Sequence, residues 1–170
     1  MTFEEKREED KKRGIIAELL FVELETLNGY ECFKATEFQD KIEHWDYALK
    51  KNGIFERVDI KCIKDFYWIE YKNVDGYDGW ILSRPLDSLA FETINSFLVV
   101  KRIDLLELCD KNLALTDVLD EGKTIYFDTK TLDFYQRYQR KGRKDITIKV
   151  PEEDILKIIS RTVHKRIDAK

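Results

Sequence analysis

The sequence is poor in the residues that punctuate or anchor a chain. Of its 170 residues only 2 are proline and 7 are glycine, so no Pro/Gly/Ser-rich linker divides it, and neither a repeat nor a low-complexity tract is found. Three widely spaced cysteines, Cys32, Cys62 and Cys109, form no C-x-x-C pair. That argues against a zinc ribbon or a dithiol redox centre, and the three read as buried free thiols. With 2 histidines there is little scope for a Ser-His-Asp or Cys-His triad. No nucleotide loop or cofactor motif is present. With no apolar run near the length of a membrane span and no cationic, apolar leader, the chain reads as cytosolic.

What is there suits a globular domain. Apolar residues make up 43% and aromatics 12%, enough for a packed core, and 38% charged residues give a solvated surface. The length fits one compact domain with an appendage. The net charge of -4 is unevenly spread: Gln136 to Lys170 holds 11 basic and 5 acidic residues, leaving 19 basic against 29 acidic in residues 1 to 135. A basic tail on an acidic body is a polarity that phosphate binding exploits, although helix surfaces are also often locally basic.

After a highly charged start, Ile15, Ile16, Leu19, Leu20, Leu24 and Leu27 recur at helical spacing up to the Asn28-Gly29 stop. Aromatic and β-branched segments then predict strands at Tyr30 to Lys34, Trp45 to Leu49, Phe55 to Ile63, Phe66 to Tyr71, Leu89 to Thr93 and Phe97 to Val100. Asn52-Gly53 predicts a tight hairpin between the second and third. Ile103 to Cys109 reads as helix, and Pro151-Glu152-Glu153 opens a last one. The expected fold is α/β: a mixed central sheet flanked by helices, with a core over residues 1 to 104 and a basic C-terminal extension over 105 to 170.

Strand interiors are depleted in aspartate, yet Asp46 opens one strand of the hairpin and Asp59 lies within the other. Period-2 alternation puts Asp59 and Lys61 on one face. Two carboxylates about 4 Å apart repel by roughly 4 kcal/mol at an effective dielectric of about 20, so they coexist only protonated or around a cation. Hard oxygen ligands, read as having no His or Cys beside them, suit Mg²⁺ or Mn²⁺ rather than zinc. The plainer alternative is a solvent-facing charge pair on a sheet surface.

The order of these residues resembles the PD-(D/E)XK nuclease superfamily, in particular its small Holliday-junction-resolvase-like members from bacteria, archaea and phages. Gly14-Ile15-Ile16-Ala17-Glu18 is similar to the family's first-helix motif, Asp46 to the aspartate opening the second strand, and Asp59-Ile60-Lys61 to its acid-x-lysine. Trp45 stands where the superfamily's name has proline. The resemblance spans Gly14 to Lys61 and extends loosely to Arg102. It implies a restriction-endonuclease-like fold holding one or two Mg²⁺ or Mn²⁺ on Glu18, Asp46, Asp59 and the Ile60 carbonyl. Lys61 would be the catalytic partner of Glu18, Asp46 and Asp59. The implied activity is structure-specific cutting of junctions or flaps in recombination, repair or phage DNA processing, by a homodimer where matched cuts are made.

Two alternatives stay open within that resemblance. Glu23 rivals Glu18 as the first acid because it falls inside the apolar stripe, and Glu70-Tyr71-Lys72 is a second acid-x-lysine. Glu70, Lys72 and His44 are candidate supporting residues. In the tail, Arg137, Arg140, Arg143 and Lys144 interleave with Tyr135 and Tyr138, a composition suited to gripping DNA phosphates but equally found at a solvated helix end. A function of another class is a nuclease scaffold without catalysis, serving as a DNA-binding or protein-interaction module.

Overall fold

The computed structural model describes residues 2–113, 119–121 and 132–166. The chain forms two compact units interleaved along the sequence: Met1–Ile63, Pro85–Lys101 and Ile159–Lys170 make the first, Lys64–Arg84 and Arg102–Ile158 the second.

The first unit is a helix on a mixed six-stranded sheet. Helix α1 (Phe3–Leu27) takes in the charged start because Thr2 and Glu5 close a reciprocal capping box with Glu4 and Glu5 in the first turn. It ends at Asn28, with Gly29 at φ 88°. The strands are β1 (Glu31–Lys34), β2 (Tyr47–Lys51), β3 (Ile54–Lys61), β5 (Ser88–Glu92), β6 (Ser96–Lys101) and β10 (Ile159–His164). They lie in the order β1-β2-β3-β5-β6-β10, all neighbours antiparallel except β3 and β5. As Asn-Gly predicts, β2 and β3 turn at Asn52 and Gly53, both at positive φ (52° and 78°).

The core of this unit joins Ala17, Phe21 and Leu24 of α1 to Leu49, Val58, Ile60, Phe97, Val99 and Val163, with the Phe21 and Phe97 rings meeting edge-on at 5.2 Å. The expected apolar stripe of α1 is thereby corrected. Leu24 is buried, but Ile16 and Leu19 are 63% and 58% exposed, and the inward face instead includes Glu25, 1% exposed. Arg161 on β10 takes that charge, which an apolar count along the helix does not register.

The second unit carries β4 (Tyr67–Lys72), α2 (Arg102–Leu113), β7 (Leu119–Glu121), β8 (Arg137–Gln139), β9 (Ile146–Val150) and α3 (Glu152–Lys157). Its sheet runs β4-β9-β8-β7. Ile69, Ile81, Leu105, Tyr138, Ile148 and Ile155 are fully buried. Gly79 is fixed by close approach, since a Cβ there would lie 2.3 Å from the Glu70 carbonyl oxygen.

The α/β mixed sheet is as expected; the single cut near residue 104 is not. The reason is pairing across long sequence separations: β10 returns to β6, and β4 leaves to pair with β9. The C-terminal helices α2 and α3 belong to the second unit. The three cysteines are free, but only Cys109 is buried; Cys32 and Cys62 are half-buried. Among the described residues no helix is long and apolar enough to cross a membrane.

Candidate functional site

Asp46, Asp59 and Lys61 are brought together by the β2–β3 register. The ladder ends with Tyr47 opposite Val58, and the Asp46 N–H also donates to the Val58 carbonyl at 2.9 Å, which holds Asp46 beside the Val58–Ile60 stretch of β3. The Ile60 N–H donates to Asp46 Oδ2 at 2.7 Å. Asp59 and Lys61 share a face and form an ion pair of 2.6 Å, with Asp59 8% and Lys61 34% exposed in their side chains. Glu18 approaches from α1, its carboxylate 3.8 Å from Lys34 on β1.

The electrostatics show four charged groups acting on one another. Burial pushes the half-buried Asp46 carboxyl up to about 8, with the Asp59 charge adding to the shift; Lys61 and the Ile60 N–H oppose it, and Glu18 raises it further. Glu18 is also raised, first by burial. Lys34 and Lys61 pull it down, while Asp40 and Asp59 push it up. The cluster is therefore short of positive charge even with Lys61 inside it.

The donor set fits a hard divalent cation, because carboxylate oxygens supply it and an extra positive charge would let Asp46 ionise. Among the described residues, however, no three His, Cys, Asp or Glu side chains are arranged around one point as metal ligands. Each acid is turned to a different partner: Asp59 to Lys61, one Asp46 oxygen to the Ile60 N–H, Glu18 toward Lys34. Coordination thus requires side-chain rotation about a fixed backbone. Ile60, expected to offer its carbonyl, touches Asp46 through its N–H.

Other expected residues fall as follows. Glu23 is exposed on α1, and Glu18 is the first-helix acid whose charge acts on Asp46. Glu70 and Lys72 lie on β4 in the second unit. A register shift between them breaks the alternation that would align acid and lysine, and Lys72 pairs with Asp78 at 2.7 Å. His44 is half-buried and left-handed (φ 57°) at the end of a single π turn, Gln39–Glu43, two residues before Asp46.

In the tail, Arg137 lies on β8, and Arg140 through Arg143 make a turn between β8 and β9, closed by the Arg143 N–H on the Arg140 carbonyl at 3.0 Å. Arg143 and Lys144 are exposed. Arg140 is corrected as a phosphate grip: its guanidinium is 2.5 Å from Asp145, itself 2% exposed, so it neutralises a buried acid. Sequence reasoning missed Lys34 and Asp40, whose charges act on Glu18; a signal for Lys34 was its place at the end of the strand that neighbours β2.

One pH effect follows from Asp46. Its folded-state value of about 8 lies above the ordinary 3.8, so between those values the folded chain holds a proton the unfolded chain releases. That contribution to stability is full below pH 3.8 and fades as pH rises through 8. Without divalent ions, Asp46→Asn should therefore become more stable relative to wild type as pH rises from 5 to 8.5, by about 2 kcal/mol because the carboxyl keeps some contact with water. Urea unfolding at the two pH values checks it, and a constant difference would refute the shift.

No family model, curated protein or solved structure matches the chain.

Proposed function

We propose that the first unit is a Mg²⁺- or Mn²⁺-dependent deoxyribonuclease. The observation supporting this is the gathering of Glu18, Asp46, Asp59 and Lys61, from three separate elements, into one mutually interacting cluster. Asp46 and Asp59 would hold the ion, with Glu18 joining when it leaves Lys34. When bound, a divalent ion supplies an acidified water and neutralises charge growing on a phosphate. Lys61, released from Asp59, would stand beside the phosphate, donating a hydrogen bond to its developing negative charge and orienting the attacking water. In the second unit, the exposed Arg143 and Lys144 carry charge that suits a phosphate backbone and reads no sequence.

A second reading is favoured by one contact. The 2.6 Å pair of Lys61 with Asp59 neutralises the acid without any metal, as a scaffold that only binds DNA or protein would need. Calorimetry with Mn²⁺ separates the two. An enzyme should take up Mn²⁺ at a site lost in Asp46→Asn, with plasmid cutting appearing over the same concentration range. Wild-type protein that binds no Mn²⁺ and cuts no DNA overturns the nuclease reading in favour of the scaffold.

A further inference from the structure

We infer that the sheet face carrying Asp59 and Lys61 continues into a stacking platform for unpaired bases, built by Phe33 and Phe55, so that the preferred substrate is a single strand, such as a flap or an opened junction arm. This rests on the nuclease reading and names its substrate. Register fixes the placement. Antiparallel partners share a face, as do residues two apart on a strand. Phe55, Arg57 and Asp59 alternate along β3, and Ala48, which opposes Arg57, also opposes Phe33 on β1. Phe33 and Phe55 therefore stand on the face of Asp59 and Lys61.

The two rings lie 6.3 Å apart, tilted by 38°, on either side of β2, where the small Ala48 opposes Phe33. They are 46% and 58% exposed, whereas Leu89 on β5, level with Asp59 on the same face, is fully buried. From Asp59 to Phe55 is four residues of strand, about 13 Å. A strand spans that with about four nucleotides at the duplex spacing of about 3.4 Å, and with fewer when extended.

The chemistry selects bases over other occupants. The cations beside the rings are already engaged: Lys50 lies 3.5 Å from Glu31 and 5.7 Å over the Phe55 ring, and Arg57 lies 3.2 Å from Asp87. Phosphate grip is then weak at this end, and stacking on aromatic faces, which every unpaired base offers and a duplex hides, carries the affinity. A second copy adding its strand to β1 is disfavoured by the charged, exposed Glu31 and Lys34 on that edge.

Fluorescence anisotropy with the full chain in EDTA, using labelled oligothymidylate and a blunt hairpin duplex over a range of KCl, tests the platform. Wild type should prefer the single strand. Phe33→Ala with Phe55→Ala should weaken single-strand binding at least about tenfold, leave the duplex unaffected and leave the salt slope unchanged, while the paired tryptophan variant retains binding. The platform is overturned if wild type shows no single-strand preference, if the alanine pair binds like wild type, or if sedimentation shows a dimer that the alanine pair splits. Cutting by the wild type separates the two ideas: wild-type protein that takes up no Mn²⁺ and cuts no DNA sinks the nuclease reading whatever the anisotropy shows, and wild-type cutting with unaltered binding by the alanine pair sinks only the platform.

Discussion

Asp59→Asn is expected to reduce Mg²⁺-dependent DNA cutting by roughly a hundred- to a thousandfold, the scale on which removing one group that stabilises transition-state charge acts. The substitution keeps volume and shape at a position 6% exposed, so packing survives. It removes the charge that, with Asp46, would share the ion, and leaves a neutral amide beside Lys61. Because the Lys61 side chain is 34% exposed, water can solvate the ammonium that loses its partner, and the unfolding free energy should change by less than about 1 kcal/mol. Single-turnover cutting of a labelled flap, together with urea unfolding, reads both quantities. Undiminished cutting by a folded variant would remove Asp59 from the mechanism.

The local half of this site was legible in the sequence because it depends on short-range rules. Asn52-Gly53 dictated the hairpin, the hairpin dictated that Asp46 and Asp59 lie near each other on adjoining strands, and alternation dictated that Lys61 accompanies Asp59. The choice between Glu18 and Glu23 was not decidable from periodicity, because the inward face of α1 is defined by Ala17, Phe21, Leu24 and a charged residue, Glu25. The Glu70-x-Lys72 alternative was indistinguishable until the register shift on β4 appeared. Long-range pairing hid the division into units: nothing local in Ile159–His164 says that it closes the sheet against Ser96–Lys101, nor that Tyr67–Lys72 joins a different sheet from the strand before it.

That long-range closure rests on a buried charge network whose disruption should be the costliest single change in the first unit. Arg161 on β10 donates from Nε and Nη2 to Glu25 Oε1 on α1 at 3.1 and 2.8 Å, and from Nη1 to Glu56 Oε2 on β3 at 2.7 Å. Glu56 Oε1 accepts from the Ser88 hydroxyl on β5, and Glu25 Oε2 from the Asn28 amide. One guanidinium thus ties helix, central strand and edge strand together across 136 and 105 residues of sequence. Arg161→Met keeps much of the side-chain volume but strands Glu25, 1% exposed, without its counter-charge and near a second carboxylate. The loss should be about 3–5 kcal/mol, the usual cost of breaking a buried pair by removing one partner. Adding Glu25→Leu to that variant removes the stranded charge and should recover most of the stability, because the net worth of such a pair against an apolar replacement is small. Chemical unfolding of the single and double variants measures both terms. A loss below about 1 kcal/mol in Arg161→Met would mean that β10 is held by its ladder and by Val163 alone, and that the network contributes little to closing the sheet.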